Sequence, residues 1–144
     1  MSNLIGKLEN IATADVQLAL AECAVKVRDD AKELCPANTG ELEKSIDWMF
    51  VDDYTVAVGT NKYYAPYVEI GTGIYAGTGD AQALYPQYIG TGRQTPWTYY
   101  DEVTGRFYTT LGHPGRPFVL PALLQNENFI KERLGAEIKI EVEK

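Results

Sequence analysis

Apolar residues fall at helical spacing through the first quarter of the chain. Leu4, Ile5, Leu8 and Ile11 share one such period, and Val16, Leu20, Cys23, Val27, Ala31 and Leu34 continue a stronger one from Thr13 to Leu34. Asp15, Glu22, Arg28, Asp29, Lys32 and Glu33 fill other positions, which predicts an amphipathic helix. Thr13 can cap a fresh start with Asp15 in its first turn, so residues 4–11 read either as part of this helix or as a separate turn. Pro36 ends the helix, because the residue before a proline avoids the helical region and the ring cannot extend it. Residues 35–45 then form a tight connector, with Asn38 and Glu41 in a capping arrangement around one short turn.

The period next changes to two. Ile46, Trp48 and Phe50 alternate with Asp47 and Met49, Asp52-Asp53 supplies a turn, and Val56 and Val58 alternate with Thr55 and Ala57, which predicts a β-hairpin. From Tyr64 to Gly73 the chain offers a brief apolar face of Ala65, Val68 and Ile70, with Pro66 near a helix start and Gly71 turning the chain out. This stretch reads as the root of a long loop. Between Gly71 and Pro117 lie nine of the thirteen glycines, four of the seven prolines and six of the ten tyrosines, with Gly-Thr-Gly at 71, 77 and 90. A structureless loop of that length is uncommon in a compact domain and is usually functional or ordered by a partner. Within it, Trp97–Tyr100 and Arg106–Thr109 flank a glycine-containing turn and read as a second hairpin. Pro121 then heads a helix along which Leu123, Leu124, Ile130, Leu134 and Ile138 share a side. Ile138, Ile140 and Val142 also alternate with charged residues, so a short final strand competes with continuation past Gly135; the dense Glu and Lys content favours helix.

At 144 residues and 45% apolar, the chain has the length and composition of one domain with a single core. The net charge of −7 disfavours a grip on nucleic-acid phosphates, since the basic residues are not segregated. No run approaches a membrane span and the first residues lack the order of a secretory signal, so the chain is expected to work where it is made. Cys23 and Cys35 form no zinc pattern, and Cys23 reads as a small buried hydrophobe. The only histidine, His113, has no nucleophile elbow or activated cysteine beside it in the sequence. Asp29-Asp30 diverge on a helix, and Asp52-Asp53 suit a turn. Gly71 to Ala76 superficially matches a dinucleotide loop but is followed by no helix pattern. The residues therefore suggest no catalytic, cofactor-binding or metal site.

Tyr75, Tyr85, Tyr88, Tyr99, Tyr100 and Tyr108, with Trp97, are spread through the loop, and such side chains are favoured anchors at protein interfaces. They are candidate subunit contacts. The competing reading is a loop folded down on its own sheet. Stacking on single-stranded nucleic acid ranks third, because Arg93, Arg106 and Arg116 are balanced by Asp80, Asp101 and Glu102.

Taken in order, three blocks resemble the gene-ten-like family of tailed-phage tail-completion and head-to-tail joining proteins. Pro36, Thr39, Gly40, Leu42 and Ser45 match its Pro-x-x-Thr-Gly-x-Leu-x-x-Ser pattern. Tyr64, Ala65, Val68, Glu69, Gly71 and Thr72 match Tyr-Ala-x-x-Val-Glu-x-Gly-Thr, and Pro117, Phe118, Pro121 and Ala122 match Pro-Phe-x-x-Pro-Ala. The resemblance implies a single α+β domain over residues 1–144, with an antiparallel sheet of several strands packed against the long N-terminal helix and a C-terminal helix, and with a long Gly/Tyr-rich loop or insertion at 73–116. It implies a non-enzymatic virion protein, assembled in the host cytoplasm into a six-fold or twelve-fold ring at the head-to-tail junction. Its expected partners are other copies of itself, a portal or head-completion protein, and a tail terminator or tail tube protein, with DNA passing the lumen without sequence-specific binding and no membrane. The alternatives are a tail-terminator ring capping the tail tube and, from another class, a small hydrolase or binding module using His113 and carboxylates.

Overall fold

The computed structural model describes residues 13–36 and 40–135. The expectations for residues 4–11, for Asn38 as a cap, for Thr39, and for the helix or strand from Ile138 to Val142 lie outside the described residues. Backbone contacts divide the chain into two compact units: one holds the described residues up to Asn61 and those from Phe118 onward, the other is Lys62–Pro117.

The first unit is built on α1, Thr13–Leu34. Its buried side comprises Val16, Ala19, Cys23, Ala24, Val27 and Ala31, with Cys35 just beyond. This differs from the expected stripe: Ala19 and Ala24 are interior, whereas Leu20 is only half-buried and Leu34 is exposed. Small side chains let neighbouring elements approach the helix, and Leu34, which shares a side with Val16 after five full turns, is the last residue of the helix. The helix stops before Pro36 as expected, with the Cys35 amide donating to the Ala31 and Lys32 carbonyls. Both cysteines are buried and not in a disulfide, and burial pushes the Cys23 thiol up.

After the connector comes α2, Gly40–Ser45, then β1, Asp47–Asp52, paired antiparallel with β2, Thr55–Gly59. The register opposes Trp48 to Val58 and Phe50 to Val56. The acidic turn forms as the sequence suggests, with the Tyr54 amide donating to Asp52 Oδ1 at 2.9 Å. The C-terminal helix is two helices, α4 at Val119–Gln125 and α5 at Glu127–Leu134. Asn126 sits at the break, and its buried amide donates to the Ala122 carbonyl and to Asp30 Oδ2, both at 2.7 Å. The Asn126 bond, helped by Lys26 and opposed by burial, holds the Asp30 carboxyl below its usual value. Gly135 adopts φ 68° and closes α5, its amide donating to the Lys131 carbonyl. Helix α1 packs against β1, β2, α4 and α5, and Phe118, Leu42 and Ile46 are the largest fully buried side chains.

In the second unit α3, Ala65–Ile70, has Pro66 in its first turn and ends at Gly71, φ 100°. Three short 3-10 turns follow at Gly73–Tyr75, Gly79–Ala81 and Pro86–Tyr88, then β3, Trp97–Asp101, paired antiparallel with β4, Arg106–Thr110. The chain returns beside its own root: Thr72 and Ile74 donate to the His113 and Leu111 carbonyls, and Arg116 donates to Val68. The α+β class is as expected, but the described strands form two separate two-stranded sheets rather than one sheet of several strands. The stretch from Gly73 to Tyr88, expected as part of a long loop, is held mostly by backbone bonds within itself. Among the described residues no helix is long and apolar enough to cross a membrane.

Candidate assembly surface

The family-block residues occupy turns and core positions. Leu42 is fully buried, and the Ser45 hydroxyl donates to the Leu42 carbonyl at 2.6 Å while meeting Thr60 Oγ1. Ala65 and Glu69 are buried on α3, Val68 supplies its carbonyl to Arg116, and Tyr64 accepts from the Val68 amide. Thr72 Oγ1 accepts the His113 amide at 2.9 Å. Phe118 and Ala122 are fully buried, with Pro117 and Pro121 half-buried beside them; Gly40 opens α2 and Pro36 follows α1. These residues shape backbone and fill core, which explains their spacing without any chemistry.

Glu69 has a specific task that the sequence did not reveal. Its Oε2 accepts the Tyr85 hydroxyl at 3.0 Å, and both side chains are buried. Tyr85 therefore departs from the reading of it as a subunit contact: only 2% of it is exposed. Burial, then the nearby Glu69 charge, raises the Tyr85 phenol well above its ordinary value of 10.0. The neutral phenol is favoured in the folded chain, so its stabilising contribution is fully present below about pH 10 and is lost as pH rises through the raised folded value. Ultraviolet difference titration should show a late-ionising tyrosine that disappears in Tyr85→Phe; identical titrations of the two proteins would contradict the assignment.

The remaining aromatic candidates behave otherwise. On the β3–β4 hairpin, Tyr99 opposes Tyr108 with ring centroids 5.9 Å apart, and Tyr100 opposes Phe107 at 5.1 Å. Alternation puts the first pair, with Trp97, on one face and the second on the other. The turn is set locally: Asp101 Oδ1 accepts the Val103 amide and its carbonyl accepts Gly105, which takes φ 70°. Arg93 lies over the Trp97 ring, 5.8 Å from its centroid. Tyr100 is 53% exposed and Phe107 73%, while Tyr99, Tyr108 and Tyr75 are also exposed; Trp97 and Tyr88 are half-buried, Tyr88 meeting Tyr85 edge-on. A ribbon of two strands with aromatic residues on both faces has little to bury against by itself. Phe107, Tyr63 and Tyr67 are further exposed aromatic residues outside the expected set. Tyr63 and Tyr67 are exposed at the start and on the side of α3, and their four-residue spacing was the available signal.

The residues considered for catalysis are arranged structurally. His113 is exposed, and among the described residues no hydrogen bond joins its imidazole to a carboxylate. Asp29 pairs with Arg28, Asp30 with Lys26 and Asn126, and Asp52 with its own turn. Among the described residues no cluster of His, Cys, Asp and Glu is placed to hold a metal ion.

No curated protein and no solved structure matches the chain. A family model described as "Bacteriophage HK97-gp10, putative tail-component" matches residues 1–71, ending at the glycine that closes α3. That span contains the first block and all of the second except Thr72, so the order of motifs, the α+β fold and the matched region agree. Over residues 1–71 the chain is therefore similar to the HK97-gp10-like family of bacteriophage tail components.

Proposed function

We propose that this chain is a non-enzymatic structural virion protein that assembles as a ring at the head-to-tail junction of a tailed phage or prophage, completing the tail or joining it to the head. The β3–β4 hairpin is the element that holds a neighbour, either another copy or the adjacent portal, adaptor or tail protein. The observation that carries this reading is the exposure of Tyr99, Tyr100, Phe107 and Tyr108 on a ribbon whose local turn is already formed. Such side chains bring large contact area at low entropic cost, since only two torsions are fixed per residue. In this reading residues 1–144 act as one tail-completion domain in which 73–116 is the reaching insertion. The net charge of −7 suits a lumen through which DNA slides without sticking.

The test replaces residues 97–110 by a short glycine-containing turn. The variant should remain soluble and retain cooperative unfolding, while lysates of a phage carrying it show separate heads and tails under the electron microscope. Unfolding of the variant would instead mean that the hairpin serves as local cover. Normal joined particles would remove the hairpin from the assembly surface.

A further inference from the structure

The two faces of the β3–β4 hairpin differ in what already occupies them. On one, Arg93 lies over Trp97, Tyr99 packs on Tyr108, the Tyr108 hydroxyl donates to Thr104 Oγ1 at 3.1 Å, and Asp101 stands opposite Arg106. On the other, Tyr100 packs on Phe107 and the Thr98 and Thr109 hydroxyls meet at 3.1 Å. This second face carries no charged side chain, and its rings are the more exposed. Bare rings beside already paired hydroxyls offer a neighbour apolar area without demanding a counter-charge.

Charge narrows the choice of neighbour. Lys62–Pro117 holds four basic and four acidic residues, so the whole net charge of −7 belongs to the first unit, and one of those four acids, Glu69, is buried against Tyr85. Two first units therefore repel each other, whereas a second unit approaches a first unit without that penalty. The first unit also presents an apolar strand: Met49 and Val51 of β1 are 63% and 62% exposed, and β1 runs between Asp47 and Asp52. Arg106, which opens β4, makes no ion pair among the described residues. We infer that the Tyr100 and Phe107 face of one copy seats on β1 of the next copy, against Met49 and Val51. The inference rests on the ring reading above and names the partner within it. Because the two surfaces differ, the contact runs head to tail, and contacts of that kind close into rings, whereas hairpin against hairpin stops at two copies.

Cross-linking between copies of the full chain tests this. Met49→Cys and Phe107→Cys proteins, mixed and treated with a short thiol-reactive cross-linker, should give a linked pair containing one of each, while neither variant alone links to itself. Cys23 and Cys35 are buried, so the unaltered chain is the control. Val51→Cys with Tyr100→Cys provides a second pair should either first variant fold poorly. In sedimentation of the unlinked protein, the double change Tyr100→Ala and Phe107→Ala should weaken self-association at least about tenfold, and Tyr99→Ala less than about threefold. Linking within the Phe107→Cys protein alone would mean that hairpin meets hairpin, and a chain that stays monomeric would give the hairpin to a different virion protein. Either result, or an unlinked mixture, overturns the inference. The ring reading is judged apart from it, by whether heads and tails join when residues 97–110 are replaced.

Discussion

Phe118→Ala should destabilise the protein by about 3–5 kcal/mol, whereas Phe107→Ala should change stability by less than about 0.5 kcal/mol. The two side chains are chemically identical and differ in surroundings: Phe118 is 0% exposed at the start of α4, and Phe107 stands out on β4. Removing the buried ring loses its transfer free energy and leaves a cavity that close-packed neighbours fill only in part. For a chain of this length the Phe118 substitution should lower Tm by about 10 °C or more in a thermal melt. Phe107→Ala should leave the melt in place and reduce assembly instead. Equal melts for the two variants would contradict the placement of Phe118 in the core.

Gly73→Ala should cost upward of about 3 kcal/mol, while Gly79→Ala should cost only about 1–2 kcal/mol. Both glycines have φ +61°, so the backbone penalty for an L side chain is the same at each. Their surroundings separate them: a methyl at Gly79 meets nothing within 4 Å, whereas one at Gly73 collides with the Leu111 carbonyl. Leu111 cannot move aside freely, since that carbonyl accepts the Ile74 amide at 3.0 Å. Gly92 packs in turn on the Gly73 backbone, which brings the first and third Gly-Thr-Gly repeats together. Urea denaturation of the two variants, with near-ultraviolet circular dichroism reporting on the tyrosines, checks the difference. Matching losses would show that the backbone angle alone matters.

Much of the fold was legible because it is local. The period of α1, the proline that stops it, the Asp52 turn and the Gly105 turn each depend on residues a few positions apart, and the β3–β4 hairpin formed within a residue of its expected ends. The three family blocks were legible for the same reason, and the match over residues 1–71 agrees with the first two. The candidate surface was only half legible. Tyr99, Tyr100 and Tyr108 are exposed on the β3–β4 hairpin, but Tyr85 turned inward, where Glu69, sixteen residues earlier, offers a buried acceptor. No local pattern distinguishes a tyrosine that will find such a partner from one that will not.

The sequence by itself determined the long helix and its stop before Pro36, where the hairpins turn and which motif blocks appear in which order, but not the break at Asn126 in the C-terminal helix. Those features follow from torsional preferences and from side-chain periods along a single element. Only the tertiary structure decided that Gly71 to Tyr88 is held largely by its own backbone bonds and that Glu69 of α3 is joined to Tyr85. These depend on which distant backbone comes within a few ångströms of which other, and a contact between residues far apart in the chain leaves no period to read.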